Sequence, residues 1–213
     1  MFRSLVDAIA PPLCAGCGAA AGRVEPLCAA CRAQLRWLGP EPVLIGDWLP
    51  GWAPLAYEDP ARGVVRALKF KGATRAAGAM AAQLAAGAPP GWLEGDRVLV
   101  PVPLHPARAR KRGYNQAAVL ANALARRTGL STNGCLTRAG ARGTQVGRDR
   151  AQRLAGIAGT VSVDPERGPP PTAAVLVDDV ITTGATLAAC ARALLAGGAS
   201  SVLAVGYART PGR

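Results

Sequence analysis

The sequence predicts an α/β protein in which a parallel sheet is flanked by helices, with a small cysteine-rich subdomain at the N-terminus. Three observations lead to this class. The 213 residues exceed one minimal domain but are too few for two large ones. Apolar strands alternate with helical patterns along most of the chain, as parallel crossover units require. Four of the six cysteines precede that alternation.

Composition narrows the class of ligand. Apolar residues make up 50% of the chain and aromatic residues 4%, so a core can form, mostly from alanine, valine and leucine. This excludes the disordered and low-complexity classes. Lysine and arginine number 25 against 13 acidic residues, and the resulting charge of +12 attracts polyanions. Nucleic acid, a membrane surface and phosphorylated small molecules all fit that charge.

The N-terminal apolar run is short and interrupted by Asp7, which argues against a secretory signal. No stretch approaches the roughly 18 apolar residues of a membrane span. We therefore expect a cytoplasmic protein without membrane insertion.

The N-terminal cysteines form two C-x2-C pairs with ten residues between them: Cys14, Cys17, Cys28 and Cys31. Without an export signal, this spacing favours a tetrahedral thiolate site for Zn²⁺. Two redox-active or disulfide-bonded pairs are the alternative. Four thiolates leave no open coordination position, so the zinc would be structural. Cys135 and Cys190 stand alone and are expected in the core.

Proline and glycine punctuate residues 39–51 and mark a boundary. We predict a zinc-binding subdomain over 1–45, a linker over 46–52 and a second domain over 53–213. Periodicity predicts helices at 61–69, 76–86, 114–127 and 185–196, and strands at 97–102, 158–163, 174–177 and 201–206. The arginine- and glycine-rich segment 138–156 is predicted to be a mobile loop, and the basic segment before residue 114 is predicted to be a loop as well.

The chemistry concentrates in residues 175–186, where an apolar strand ends in Asp178 and Asp179 and a Thr/Gly turn opens a helix. Ligands bind at this edge of a parallel sheet. Threonine hydroxyls and the free N–H groups of a helix start suit a phosphate, whereas carboxylates suit hydroxyl groups and hard cations. The combination predicts a sugar-phosphate site. An Asp-ended strand followed by a Thr-capped helix is the alternative.

Residues 175–186 resemble the binding signature of type I phosphoribosyltransferases, which use 5-phosphoribosyl-1-pyrophosphate. Four further segments narrow the resemblance: the four-cysteine N-terminus, Leu-Lys-Phe-Lys-Gly at 68–72, Val-Pro-Val-Pro-Leu at 100–104 and Arg-Gly-Tyr-Asn-Gln at 112–116. Together with Gly-Gly-Ala at 197–199 they resemble the ComF family, which is associated with DNA uptake in natural transformation. The resemblance covers nearly the whole chain and implies a type I phosphoribosyltransferase-like fold over 53–213.

The resemblance also implies roles for individual residues. Asp178 and Asp179, the expected catalytic residues, would hold the ribose 2′- and 3′-hydroxyls. The expected substrate-binding residues that follow them are Val180, Ile181, Thr182, Thr183, Gly184, Ala185 and Thr186, of which the last five would cradle the 5′-phosphate. Arg112 is the preferred contact for the pyrophosphate, with Arg110 close to it. Mg²⁺ would bridge the ribose diol and the pyrophosphate.

The match weakens over residues 142–163. Gln145 and Arg153 fit the family's pattern, whereas Arg148, Gly156 and Val161 replace its leucine, asparagine and aromatic residue. The equivalent loop of type I phosphoribosyltransferases closes over the substrate and excludes water. The altered loop implies either a different acceptor or no turnover, and its arginines could close on pyrophosphate or on DNA.

Two functions from different classes follow. The first is a phosphoribosyltransferase, a glycosyltransferase of the pentosyl class, that acts on an unidentified acceptor in DNA uptake. The second is a binding module for single-stranded DNA that keeps the phosphoribosyl site as a sensor. The expected partners are phosphoribosyl pyrophosphate, single-stranded DNA, and a competence helicase or other DNA-uptake proteins. The intact Asp-Asp-x-x-Thr-Thr-Gly-x-Thr run favours the enzyme.

Overall fold

The computed structural model describes residues 12–22, 25–70, 74–139 and 161–211. Its helices are α1 (Ala29–Ala33), α2 (Ala61–Phe70), α3 (Thr74–Gly87), α4 (Pro106–Arg112), α5 (Gln116–Thr128) and α6 (Ala185–Ala196). Its strands are β1 (Val43–Ile45), β2 (Leu49–Trp52), β3 (Leu55–Ala56), β4 (Val98–Pro101), β5 (Ser131–Thr132), β6 (Leu136–Arg138), β7 (Val161–Val163), β8 (Ala173–Ile181) and β9 (Ser201–Arg209). None of the described helices has the length and apolar character needed to cross a membrane.

The main sheet has the strand order β1-β2-β9-β8-β4-β5, with β3 also paired to β9. Its pairings are parallel except for the β1–β2 hairpin. β8 lies at the centre, and its side chains alternate between the two faces. Val175 and Val177 join the core under α2, α3 and α5, whereas Ala174 and Leu176 join the core under α6. The predicted α/β class, with a mostly parallel sheet between helices, is confirmed.

The elements predicted at 174–177, 185–196 and 114–127 are present in the structure as the central strand and two of the helices that pack on the sheet. The helix predicted at 185–196 is α6, and the strand predicted at 174–177 is the buried centre of β8. β8 is longer than predicted because it stays paired to β9 as far as Ile181. The helix predicted at 114–127 begins at Gln116, since Asn115 caps it by accepting a hydrogen bond from the Ala117 N–H. Residues 140–160, which include most of the predicted loop, lie outside the described residues.

The basic segment before residue 114 is a helix, so its prediction as a loop was wrong. α4 buries none of its side chains, and the apolar periodicity that reveals most helices is therefore missing. The residues at the two ends of α4 are instead the ones typical of a helix. Pro106 occupies the first turn, His105 Nδ1 accepts a hydrogen bond from the Ala107 N–H, and Gly113 ends the helix in the left-handed conformation at φ 79°.

The segment around the predicted linker also forms regular structure. β1 and β2 form an antiparallel hairpin, and β2 pairs with β9 through Gly51 and Ala204. The Ile45 side chain of β1 packs over Gly51, since a Cβ there would lie 2.4 Å from Ile45 Cδ1. Part of the 46–52 segment therefore belongs to the main sheet. The division of the chain into domains stays a prediction.

Candidate functional site

The four N-terminal cysteines converge at one point, as their spacing predicts. Their Sγ atoms all lie within 4.8 Å of one another, and the Cys17 and Cys28 Sγ atoms are 3.8 Å apart. A tetrahedron with Zn–S bonds of about 2.3 Å has sulfur–sulfur edges of about 3.8 Å. All four thiols are free of disulfide bonds. Four cysteines this close together could bind a metal such as zinc, and the soft donor set fits that ion.

Two thiols of the cluster have displaced pKa values. Burial opposes ionisation of Cys14, but hydrogen bonds from the backbone N–H groups of Cys17, Cys28 and Gly16 outweigh it and lower its pKa to about 6. Burial, followed by hydrogen bonds with the other three thiols, raises the pKa of Cys31 to about 12. The cluster therefore combines a ready thiolate with a thiol whose ionisation needs a nearby cation.

The cysteine cluster rests on the start of α2. A Cβ at Gly63 would lie 2.2 Å from the Ala15 carbonyl oxygen, so only glycine allows this approach. Arg75 of α3 adds two hydrogen bonds to the same region, donating to the carbonyls of Leu13 at 3.2 Å and Gly22 at 3.3 Å. The cluster is thereby packed against the helices of the body.

A cavity of about 420 Å³ lies where β4 and β8 end, and we call it the main cavity. Its lining comes from many separate parts of the chain: Tyr57, Lys69, Phe70, Val102, Pro103, Leu104, Arg108, Arg112, Gln116, Arg138, Asp178, Asp179, Val180, Thr182 and Thr186. The carboxyl ends of neighbouring parallel strands are the usual ligand position in this architecture.

Asp178 and Asp179 lie in this cavity at the C-terminal part of β8. Asp179 is buried, and its Oδ2 atom lies 2.5 Å from Lys69 Nζ at the end of α2. The direction of that contact does not meet hydrogen-bond geometry, so Asp179 Oδ2 has an ion-pair partner but no hydrogen bond among the described residues. Burial, and then the charge of Asp179, raise the pKa of Asp178 well above its usual range. The paired carboxylates therefore lack part of the stabilisation that two negative charges require.

Three arginines bring positive charge to the same cavity. Arg108 and Arg112 come from α4, and Arg138 comes from the end of β6. Arg138 is half-buried, and its Nε atom has no hydrogen-bond partner among the described residues. Burial, opposed by the nearby Cys190 and Asp178 and reinforced by Arg108, lowers the pKa of Arg138. A half-buried guanidinium whose Nε atom has no hydrogen-bond partner among the described residues indicates a place for an anionic ligand.

The Arg-Gly-Tyr-Asn-Gln motif at 112–116 connects the elements around the cavity. The Arg112 guanidinium donates to Gln116 Oε1, which fixes its direction. The Tyr114 hydroxyl donates to the Leu68 carbonyl near the end of α2. Asn115 caps α5 and also donates to the Val102 carbonyl at 2.9 Å. The motif thus holds α2, α4 and the segment after β4 in position.

The loop after β8 separates the main cavity from a second cavity of about 440 Å³. Gly184 begins α6 at φ 69°, where a Cβ would lie 2.1 Å from Ile45 Cγ2. The Thr183 hydroxyl accepts a hydrogen bond from the Ala185 N–H at 3.4 Å. Residues 181–184 line the second cavity with the β1 segment, Arg209 and Thr210, and Thr182 is shared between the two cavities.

The predicted site residues divide between these places. The main cavity contains Asp178, Asp179, Val180, Thr182, Thr186 and Arg112, whereas Ile181, Thr183 and Gly184 line the second cavity. Ala185 and the exposed Arg110 line neither of these two cavities. Sequence reasoning did not assign site roles to Lys69 and Gln116, although both had a signal because they lie in the 68–72 and 112–116 motifs. Arg138 was expected only as one cation of the predicted basic loop. The substrate roles of all these residues stay predictions.

This geometry defines an α/β protein with a cavity of carboxylates and arginines at the ends of its parallel strands and with an N-terminal four-cysteine cluster. A search of curated proteins finds Competence protein F of Haemophilus influenzae, 34% identical over 113 residues. The match confirms the predicted resemblance to ComF proteins. It covers 52% of this chain and 49% of that protein, so the chain aligns with about half the length of this relative. No family model matches the chain.

Proposed function

We propose that the chain binds 5-phosphoribosyl-1-pyrophosphate with Mg²⁺ in the main cavity and transfers the phosphoribosyl group to an acceptor during DNA uptake. The name of Competence protein F supports the competence context. One observation carries the site: adjacent carboxylates, a threonine-rich helix start and three arginines line a single cavity. These groups match the hydroxyls, the 5′-phosphate and the diphosphate of one ligand.

Each group has a chemical counterpart in that ligand. Asp178 and Asp179 accept hydrogen bonds from the ribose hydroxyls, which satisfies the buried Asp179 oxygen. Thr182 and Thr186 flank the start of α6, where N–H groups without helical partners attract a phosphate. Arg108, Arg112 and Arg138 then face the diphosphate. An inorganic phosphate alone would leave Asp179 Oδ2 without a hydrogen-bond donor among the described residues.

The transfer step follows from this charge distribution. The bond from C1 to the diphosphate oxygen breaks while a bond forms between C1 and a nitrogen of the acceptor. The diphosphate leaves with the electron pair, and the acceptor nitrogen loses a proton. Positive charge that develops on the ribose is stabilised by the two carboxylates, and the added negative charge on the diphosphate is stabilised by the arginines.

The donor set also fits Mg²⁺, which is usually held by one or two carboxylates together with substrate phosphates. Asp178 and Asp179 are the residues that would hold it, and the ion would neutralise diphosphate charge. Lys69 now lies at Asp179 with its side chain 25% exposed, so it can move aside when the cavity is filled.

Calorimetry with phosphoribosyl pyrophosphate and Mg²⁺ tests the binding site. Replacing both carboxylates, Asp178→Asn with Asp179→Asn, should lower the affinity at least about a hundredfold, because each charged hydrogen bond contributes about 1.5–3 kcal/mol. The matched control is Glu94→Gln with Asp96→Asn, which makes the same charge change at two exposed residues outside the cavity. Equal affinity of the site variant and the control variant would leave residues 178–186 as a capped strand-to-helix turn.

A second candidate function is binding of single-stranded DNA, with the sugar-phosphate site kept as a sensor. The exposed cations Arg108, Arg110 and Lys111 on α4 favour it. Arg148, Arg150 and Arg153 of the predicted basic loop lie outside the described residues. If these cations bind a strand, log affinity should fall with log salt by about 0.7 for each phosphate contacted. Absence of strand binding at low salt would exclude this function.

A further inference from the structure

Phe70 is an exposed aromatic side chain at the rim of the main cavity. It ends α2, whose other large apolar side chains, Val64, Val65 and Leu68, are fully buried. Phe70 is 74% exposed, the largest value among the exposed large apolar side chains of the described residues. Its ring therefore adds almost nothing to the core, and packing does not explain a phenylalanine at this position.

One cation lies over this ring, and others line the cavity beside it. The Arg112 guanidinium lies 5.4 Å from the ring centroid, and its bond to Gln116 fixes its direction. A third cavity of about 300 Å³ opens beside the ring and is lined by Lys69, Phe70, Arg108, Lys111, Arg112 and Tyr114. We call it the Phe70 cavity. It contains four cations and no carboxylate, and four of its residues also line the main cavity.

An aromatic face and a set of cations select a particular chemistry. An inorganic anion would not need the ring, and an apolar ligand would not need the cations. A planar base attached to phosphate uses both, because the base stacks on the ring and the phosphates contact Arg108 and Lys111. Since the two cavities share residues, such a base would lie next to the sugar phosphate of the main cavity.

We propose that Phe70 is the stacking platform for a nucleobase, with Arg108 and Lys111 beside its phosphates. This inference rests on the proposed function for the identity of the neighbouring ligand, and it deepens that function by naming the class of group bound next to it. The base belongs either to a free acceptor or to a nucleic acid strand. Both sources have the same ring chemistry and differ in their phosphates.

The test measures the affinity of Phe70→Leu for three probes: an oligothymidylate, an abasic strand of the same length, and thymidine 5′-monophosphate. Loss of the ring should lower the affinity for a base-containing probe about tenfold. Binding of the abasic strand should not change, because it depends on the cations alone. Phe70→Tyr should restore the affinity. Trp37→Leu is the matched control, since Trp37 is 54% exposed and lines none of the three cavities.

The outcomes distinguish a strand from a free acceptor as the source of the base, and they distinguish the stacking site from the proposed function. A loss confined to oligothymidylate assigns the base to a strand, and a loss that includes thymidine 5′-monophosphate assigns it to a free acceptor nucleotide. Unchanged affinity for both base-containing probes, an equal loss with the abasic strand, or no binding of these probes by the unaltered protein would overturn the stacking site. None of these probes contains phosphoribosyl pyrophosphate, so their affinities are measured without the proposed ligand of the main cavity. The carboxylate variants therefore test the proposed function independently.

Discussion

The cysteine cluster and the main cavity differ in the kind of group that would complete each of them. The cluster has four identical soft donors at the spacing of one tetrahedral ion, so a single metal would complete it and leave no open position. The main cavity contains charges of both signs, yet Asp179 Oδ2 and Arg138 Nε have no hydrogen bonds among the described residues. The first arrangement suits permanent structure, and the second suits a ligand that enters and leaves.

The largest effect is expected at the cluster. Cys14→Ser with Cys28→Ser should abolish zinc binding and lower the free energy of unfolding by several kcal/mol, since structural zinc contributes about 10 kcal/mol or more in small zinc-binding peptides. Metal analysis and denaturant unfolding measure both effects. The control, Cys135→Ala with Cys190→Ala, removes two buried cysteines outside the cluster and should keep the metal. A variant that stays fully loaded would contradict the site.

An intermediate effect on ligand affinity is expected at Arg138, one of the three arginines that line the main cavity. Arg138→Gln should weaken phosphoribosyl pyrophosphate about ten- to a hundredfold, because one charged hydrogen-bonding group is lost. The substitution should not lower the free energy of unfolding of the ligand-free protein, since the Nε atom of the half-buried guanidinium has no hydrogen bond among the described residues. Calorimetry and thermal unfolding of the same sample separate the two quantities.

Arg167→Gln serves as the control for that experiment. Arg167 is 58% exposed and is paired with Asp164 at 3.0 Å, away from the main cavity. If Arg138→Gln lowers the free energy of unfolding while the affinity for phosphoribosyl pyrophosphate stays constant, the guanidinium has a structural role. The main cavity would then not differ from the cysteine cluster in the way described above.

The smallest effect concerns the pH dependence of stability. The pKa of Asp178 is raised in the folded protein by burial and by Asp179, so its protonated form stabilises the fold. That contribution is complete below the unfolded value of about 3.9 and is lost as the pH rises through the raised folded pKa. Asp178→Asn should therefore unfold at higher denaturant than the unaltered protein at neutral pH, with the difference disappearing near pH 4. A difference that is constant with pH, or equal to that of exposed Asp96→Asn, would contradict the shift.

Local patterns made the most reliable predictions from sequence. The cysteine cluster needs only 18 consecutive residues, and the strand and helix around Asp178 adjoin each other in the chain. The α4 helix was missed because its Ala-Arg-Ala-Arg-Lys-Arg sequence has no apolar face, so only Pro106 and Gly113 indicate its ends. The β1–β2 hairpin was missed because proline and glycine in it suggested a linker.

Contacts between distant parts of the chain could not be predicted from spacing. Lys69 and Asp179 are 110 positions apart and meet only because α2 and β8 pack into one core. Arg138 was placed in a loop, and nothing in its neighbours indicated that β6 would direct it into the main cavity. Assembled sites depend on tertiary packing, which a single sequence encodes only indirectly.

The close approach of Gly63 to Ala15 affects how shortened forms of the protein would behave. Gly63 and Lys69 are six positions apart, which is about 9 Å along one helix. Cys14, Cys31 and Leu35 also share a core with Val64 and Leu68. Deleting residues 1–45 would therefore uncover the start of α2 and release its far end. Lost ligand binding by such a fragment would not by itself assign a contact to the cysteine cluster, because the deletion also removes β1 and disturbs the helix that carries Lys69.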